Sequence, residues 1–194
     1  MFYSILRFIS MVLLKTLLRL RVQGSENIPE KGGFILASNH VSYIDPVALG
    51  VACKRKLNYM TKQELFRGAL LSRFFRMLHC FPVKRDSADL SAIKEAMHRV
   101  REGGGLLLFP EGSRRFDGGP QEPYAGIGFL TARLNVPVIP ALVNGTDKAL
   151  PAGAKFIRLT EISVSFGKQI PIERRMPYQD IARQVMDNIR HLSC

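Results

Sequence analysis

His40 and Asp45 stand five positions apart in Ala-Ser-Asn-His-Val-Ser-Tyr-Ile-Asp-Pro, residues 37–46, straight after an apolar run. Neutral imidazole takes a proton from an alcohol near neutral pH, because its pKa lies close to the working pH. A carboxylate beside it holds the useful tautomer and stabilises the imidazolium as it forms. On one continuous helix a five-residue step turns about 140°, so the two side chains would point apart. The pairing therefore requires His40 on a loop and Asp45 at or near the first turn of the next helix. Ser42 can cap that helix with Asp45 in its third position, or Asp45 can cap it with Pro46 in the first. The rival reading is local: Asp45 only a cap, His40 only a loop residue.

No serine, cysteine or threonine stands in a recognisable nucleophile frame, and Gly-x-Ser-x-Gly is absent. A His–Asp pair without its own nucleophile points to a substrate hydroxyl. Two further stretches follow apolar runs: Phe81-Pro-Val leads into Lys84-Arg85, and residues 106–109 lead into Pro110-Glu111-Gly112-Ser113-Arg114-Arg115. Arginine offers a planar fork that binds phosphate bidentately, so Arg85 and Arg114 are candidates for a phosphorylated substrate. Each taken alone also reads as a solvated surface charge.

These residues need elements to place them. Short strands are expected at 34–37, 57–60, 80–83, 106–109 and 136–140, those at 34–37 and 106–109 of the buried kind, with a half-buried alternating strand at 161–166. Helices are expected at 46–52, 65–78, 125–134 and 177–192. The clearest helix follows Ser87, its expected cap, with Leu90, Ile93, Met97 and Val100 as an apolar stripe and Gly103 to Gly105 as its stop. Strands that alternate with helices and read as continuous apolar runs predict an α/β fold: a mixed, largely parallel sheet covered by helices. Sites in such sheets gather at the carboxyl ends of the strands, where the histidine, the basic pair and the acid-glycine-arginine turn all fall.

The N-terminal stretch 1–21 is strongly apolar but interrupted by Arg7, Lys15 and Arg19. A spanning helix wants about 20 largely uncharged residues. On a helical wheel Ser4, Arg7, Ser10, Lys15 and Arg19 lie mostly on one half; Phe2, Ile5, Ile9, Val12, Leu13 and Leu20 lie mostly on the other. That pattern suits an amphipathic helix in the headgroup region of a membrane; a core helix and a signal anchor are the alternatives. Residues 22–194 would then form the catalytic domain.

The 194 residues carry a net charge of +12, and the pI is about 10.1. Such a balance favours anionic partners: nucleic acid, an anionic membrane surface or phosphorylated ligands. The three cysteines, Cys53, Cys80 and Cys194, include no Cys-x-x-Cys pair, which fits a reducing compartment rather than a disulfide framework.

Taken together, these residues resemble the glycerolipid acyltransferase family, in particular its 1-acyl-glycerol-3-phosphate (lysophosphatidate) acyltransferases. Asn39-His40-x4-Asp45 is similar to the family's Asn-His-x4-Asp block. Phe81-Pro-Val-Lys-Arg85 is similar to its second block, Phe109-Pro-Glu-Gly-Ser-Arg114 to its third, and Val138-Ile-Pro-Ala141 to its fourth. Order and spacing also match, over residues 22–168. The resemblance implies that His40 is the general base and Asp45 its orienter. The acceptor hydroxyl would attack an acyl thioester directly, without an acyl-enzyme. Arg85 and the turn Glu111, Gly112, Ser113, Arg114 would hold the acceptor and its phosphate, with Lys62 near the same phosphate. No metal or organic cofactor is implied. The expected partners are a phosphorylated lysolipid, acyl carrier protein or coenzyme A as thioester, and an anionic membrane surface on its cytoplasmic face, but not nucleic acid. A different acceptor, such as glycerol-3-phosphate or another lipid alcohol, and a catalytically inactive membrane-binding protein are the alternative readings.

Overall fold

The computed structural model describes residues 2–84, 89–112, 122–173 and 175–192. A first helix, α1 (Phe2–Leu17), leads into a short strand β1 (Arg21–Gln23). Then come β2 (Phe34–Ser38), α2 (Asp45–Ala52), β3 (Leu57–Lys62), α3 (Ala69–Met77) and β4 (Cys80–Val83). They are followed by α4 (Leu90–Arg101), β5 (Gly105–Leu108), α5 (Ala125–Leu134), β6 (Val138–Asn144), α6 (Thr146–Ala149), β7 (Ser163–Phe166) and α7 (Tyr178–Arg190). The seven strands form one sheet in the order β1-β7-β6-β2-β5-β3-β4. Every neighbouring pair is parallel except β6 and β7.

β2 is the centre, flanked by β5 and β6, and all five of its residues are buried. Side chains alternate across a strand, so Phe34 and Leu36 enter the core under α1 and α2 with Leu49, Leu57 and Ile139. Ile35 and Ala37 enter the other, with Ala96, Val100, Leu130 and Val185 from α4, α5 and α7. Both faces are covered, which is why the strand reads as an unbroken apolar run.

Three expected elements differ in part in the structure. The helix expected over 65–78 is broken into a 3-10 turn, Gln63–Phe66, and α3, with Gly68 at φ 80° between them. A non-glycine residue is disfavoured at that backbone angle. The stripe expected on α4 holds in part: Val100 is buried together with Ala92 and Ala96, Ile93 and Met97 are partly buried against the same core, and Leu90 is 66% exposed. Small side chains on the inner face let this helix lie close to the sheet. Its N-cap is Asp89, whose carboxylate accepts from the Ser91 and Ala92 N–H groups; Ser87 lies outside the described residues. Ile162 just before β7, and Val164 and Phe166 within it, enter one core, as the alternation predicts, but Ser165 on the other face is also buried.

α1 ends at Leu17, and Leu18 and Leu20 turn into the core. Its orientation is unexpected. Arg7 does not face outward: Nε donates to Gly50 O at 3.0 Å, and Nη2 donates to Val51 O at 3.1 Å and Cys53 O at 2.6 Å. These carbonyls lie at the end of α2, where helical partners run out and the dipole favours a cation. The outward face of α1 is apolar: Ile5, Phe8, Ile9, Val12, Leu13 and Leu17 are all exposed. No described helix is long and apolar enough to cross a membrane.

Candidate active site

β2 ends at Ser38, and the next side chain extends its ladder. Asn39 Nδ2 donates to Val143 O and its Oδ1 accepts from Val143 N, both at 2.8 Å. The amide stands in for a backbone unit and ties the end of β2 to β6. The chain is thereby released into a tight loop with His40 at its start. Asp45 opens α2, with Pro46 beside it and no side-chain cap on the N-cap residue Ile44. Ser42 is therefore not the cap: its hydroxyl donates to Leu150 O at 3.2 Å.

The Asp45 carboxylate instead reaches back along the loop. Oδ2 accepts from Val41 N and Ser42 N, both at 2.7 Å, and lies 2.8 Å from His40 Nδ1. Oδ1 accepts from the Thr146 hydroxyl at 2.6 Å. Asp45 is 0% exposed, and a buried carboxylate needs donors on its lone pairs; here four supply them. Ionised carboxylate only accepts, so the network assigns the proton to Nδ1 and leaves Nε2 with a lone pair. The Phe109 ring stacks on the imidazole, centroids 4.0 Å apart and planes at 15°. His40 N–H donates to Glu111 Oε2 at 3.1 Å. The ring's tautomer, tilt and backbone are each held by a separate contact.

The expected site residues fall as follows. His40 and Asp45 are in contact. Glu111 is 1% exposed and engages the His40 backbone, so it lies behind the histidine rather than open to solvent. Gly112 turns the chain with φ 66°, and a Cβ there would meet the Tyr124 ring at 2.6 Å. Lys62 is exposed at the carboxyl end of β3, on the same rim. Arg85, Ser113 and Arg114 lie outside the described residues. Three contributors were not assigned a role from the sequence: Asn39 and Phe109, both within the quoted motifs, and Thr146. The last stands in Asn144-Gly-Thr146, which reads as a turn. It is one, with Gly145 at φ 80°, but nothing local shows that Thr146 meets a carboxylate 101 positions earlier.

Thr146→Val keeps the shape and removes the one donor that Oδ1 has among the described residues. The expected result is a loss of about 1–2 kcal/mol of stability and roughly tenfold in turnover. Denaturant unfolding and steady-state rates check both; unchanged values would remove Thr146 from the network.

Phe109, stacked on His40, lines an apolar cavity of about 380 Å³, within the range of small-molecule sites. Phe109, Leu107, Val47, Gly50 and Met60 line it, with Tyr3 and Leu6 of α1. Tyr59 stands in its wall, and burial pushes its phenol well above the ordinary range. Burial likewise raises the thiols of Cys53 and Cys80, so neither is poised as a thiolate. Among the described residues no group of three His, Cys, Asp or Glu could hold a metal ion.

Fold and rim together place the chain among α/β enzymes whose polar machinery is gathered at the carboxyl ends of parallel strands. Comparison with known proteins narrows this. The acyltransferase family model matches residues 19–144. The 1-acyl-sn-glycerol-3-phosphate acyltransferase of Bacillus subtilis (strain 168) is 32% identical over 137 residues, 68% of each chain. The Streptococcus pneumoniae protein of the same name is 28% identical over 178 residues, covering 89% of this chain and 64% of that one. The crystal structure of the 1-acyl-sn-glycerophosphate (LPA) acyltransferase PlsC from Thermotoga maritima superposes with a TM-score of 0.78. It covers 99% of this chain and 81% of that one at 21% identity, a likeness of fold. This chain belongs to the acyltransferase family.

Proposed function

We propose that this protein transfers a fatty acyl group from an acyl thioester to the free hydroxyl of 1-acyl-glycerol-3-phosphate, giving phosphatidate. The observation that carries the reading is the oriented His40–Asp45 pair beside an apolar cavity. The relatives named above support the acceptor. In this reading His40 Nε2 takes the proton of the acceptor hydroxyl, and the oxygen attacks the thioester carbonyl. The C–O bond forms, the C–S bond breaks, and the departing thiolate takes the proton back from the imidazolium. Asp45 stabilises that cation in between. Ser38 and Ser42 hydroxyls are committed to Asn39 Oδ1 and Leu150 O, which fits direct attack without an acyl-enzyme. Lys62, Arg85 and Arg114 supply cations for the acceptor phosphate, and Glu111 and Gly112 shape the turn behind it. The reactants are alcohol and thioester, and the step calls on no metal or organic cofactor.

The outward apolar face of α1 and the +12 charge support a peripheral or monotopic position on an anionic membrane surface, at its cytoplasmic face. The reading is tested with purified protein in mixed micelles. Lysophosphatidate and glycerol-3-phosphate are offered separately, each with acyl-coenzyme A or acyl carrier protein. Phosphatidate formed from lysophosphatidate with either donor supports the assignment. Acylation of neither acceptor overturns it.

The cavity also predicts chain-length discrimination. A Cβ on Gly50 would lie 2.2 Å from Tyr59 Oη, so Gly50→Val forces side chains into the space beside Leu107 and Phe109. Transfer of the longest accepted acyl chain is expected to fall about tenfold relative to shorter ones, read from a series of acyl-coenzyme A lengths. An unchanged profile would place the chain elsewhere.

A further inference from the structure

α3 has no buried residue, an unusual state for a helix with so apolar an arc. Leu70, Phe74 and Met77, at i, i+4 and i+7, form one exposed stripe, with Leu70 86% exposed. Phe75 and Leu78, on the adjoining stripe, line the apolar cavity. Arg73 borders the stripe on the edge away from Phe75 and Leu78, Arg76 lies beyond it, and Arg67 stands just before the helix, all exposed. No aspartate or glutamate occurs between Glu64 and Asp86. At one end Phe74 meets Phe2 of α1 edge to face, ring centroids 6.0 Å apart. The exposed apolar stripe of α3 is thus continuous with the outward apolar face of α1, and both helices wall the same cavity.

We propose that α3 is a second membrane-contacting helix, lying in the headgroup region of an anionic leaflet beside α1, so that the cavity between them faces the bilayer. The inference rests on the lipid-substrate reading of the site and extends it to a part of the chain outside the resemblance motifs. An apolar arc backed by arginines fits that interface. A second copy of the chain fits it less well, since the arginines of two such helices would repel. An acceptor held in the leaflet by its acyl chain then reaches His40 laterally, between α1 and α3.

The chain has no tryptophan, so Leu70→Trp gives a single tryptophan, on the stripe, that can be excited apart from the tyrosines. It is tested on the full chain with vesicles of phosphatidylglycerol brominated on the acyl chains. The expected result is a blue shift and quenching by the bromines. A companion variant, Arg67→Glu with Arg73→Glu and Arg76→Glu, is expected to weaken vesicle partition by about 10²-fold. Emission that is neither shifted nor quenched overturns the proposal, as does partition within threefold of the parent. A concentration-dependent shift without vesicles also overturns it, because a second copy then covers the stripe. Phe8→Trp on α1 separates the two readings. If Phe8→Trp is quenched and Leu70→Trp is not, α3 fails and membrane contact by α1 stands. If both are silent, the membrane reading fails with it.

Discussion

Replacing His40 by alanine is expected to lower acyl transfer by about 10³-fold or more while leaving the protein folded. Among the described residues the side chain makes one hydrogen bond, to Asp45, and one ring contact, to Phe109. After its removal Asp45 still accepts from Val41 N, Ser42 N and Thr146 Oγ1, so the buried charge stays solvated by the protein. The backbone of residue 40 keeps its bond to Glu111. Loss of stability should therefore stay near 1–2 kcal/mol, the cost of a partly filled cavity and one lost hydrogen bond. The checks are turnover of lysophosphatidate in micelles and the circular dichroism melt of the same preparation. A folded variant retaining a tenth of the parent rate would mean that another group removes the proton.

Asp45→Asn separates the catalytic reading of Asp45 from the local one. The amide oxygen can keep the His40, Val41 and Ser42 donors, and the new NH2 can turn toward Thr146, whose hydroxyl also accepts. Geometry is then nearly preserved, but the negative charge that stabilises the imidazolium is gone. Turnover is expected to fall by roughly 10²–10⁴-fold, with a modest change in KM. Stability is expected to fall by about 1–3 kcal/mol, as charge-assisted bonds become neutral ones. If Asp45 were only a loop-and-helix anchor, the melt would shift while turnover per folded molecule stayed at the parent level. The ratio of the two effects, measured on one sample, decides between them.

Much of the scaffold was legible because its signals are local. The run 34–37 is bounded and apolar, and the structure has a strand at Phe34–Ser38; the helix expected at 125–134 is found with those bounds. His40 and Asp45 meet just past the run 34–37, while Arg85, Ser113 and Arg114 lie outside the described residues. What was not legible depends on how elements pack. α4 is turned so that Ala92 and Ala96 join Val100 on the buried side, with Ile93 and Met97 packed beside them and Leu90 left outside. That β7 pairs with β1, from the other end of the chain, was not legible either. Arg7 sits on the last carbonyls of α2 because the docking of α1, not its hydrophobic pattern, chooses the inward face. Glu111 carries a charge and reads as substrate-facing, yet a contact with His40 N, 71 positions away, buries it.

The sequence by itself determined which chemical groups are present, their order, and the local turns that put His40 on a loop and Asp45 at a helix start. These follow from short-range sterics and patterning, which act within a few residues. Only the tertiary structure decided how the pair is held: the Thr146 donor, the Phe109 stack, the Asn39 clamp on β6 and the cavity walled by α1 and α3. Those contacts join residues far apart in the chain, and their free energy exists only once the parallel sheet has brought the strand ends together.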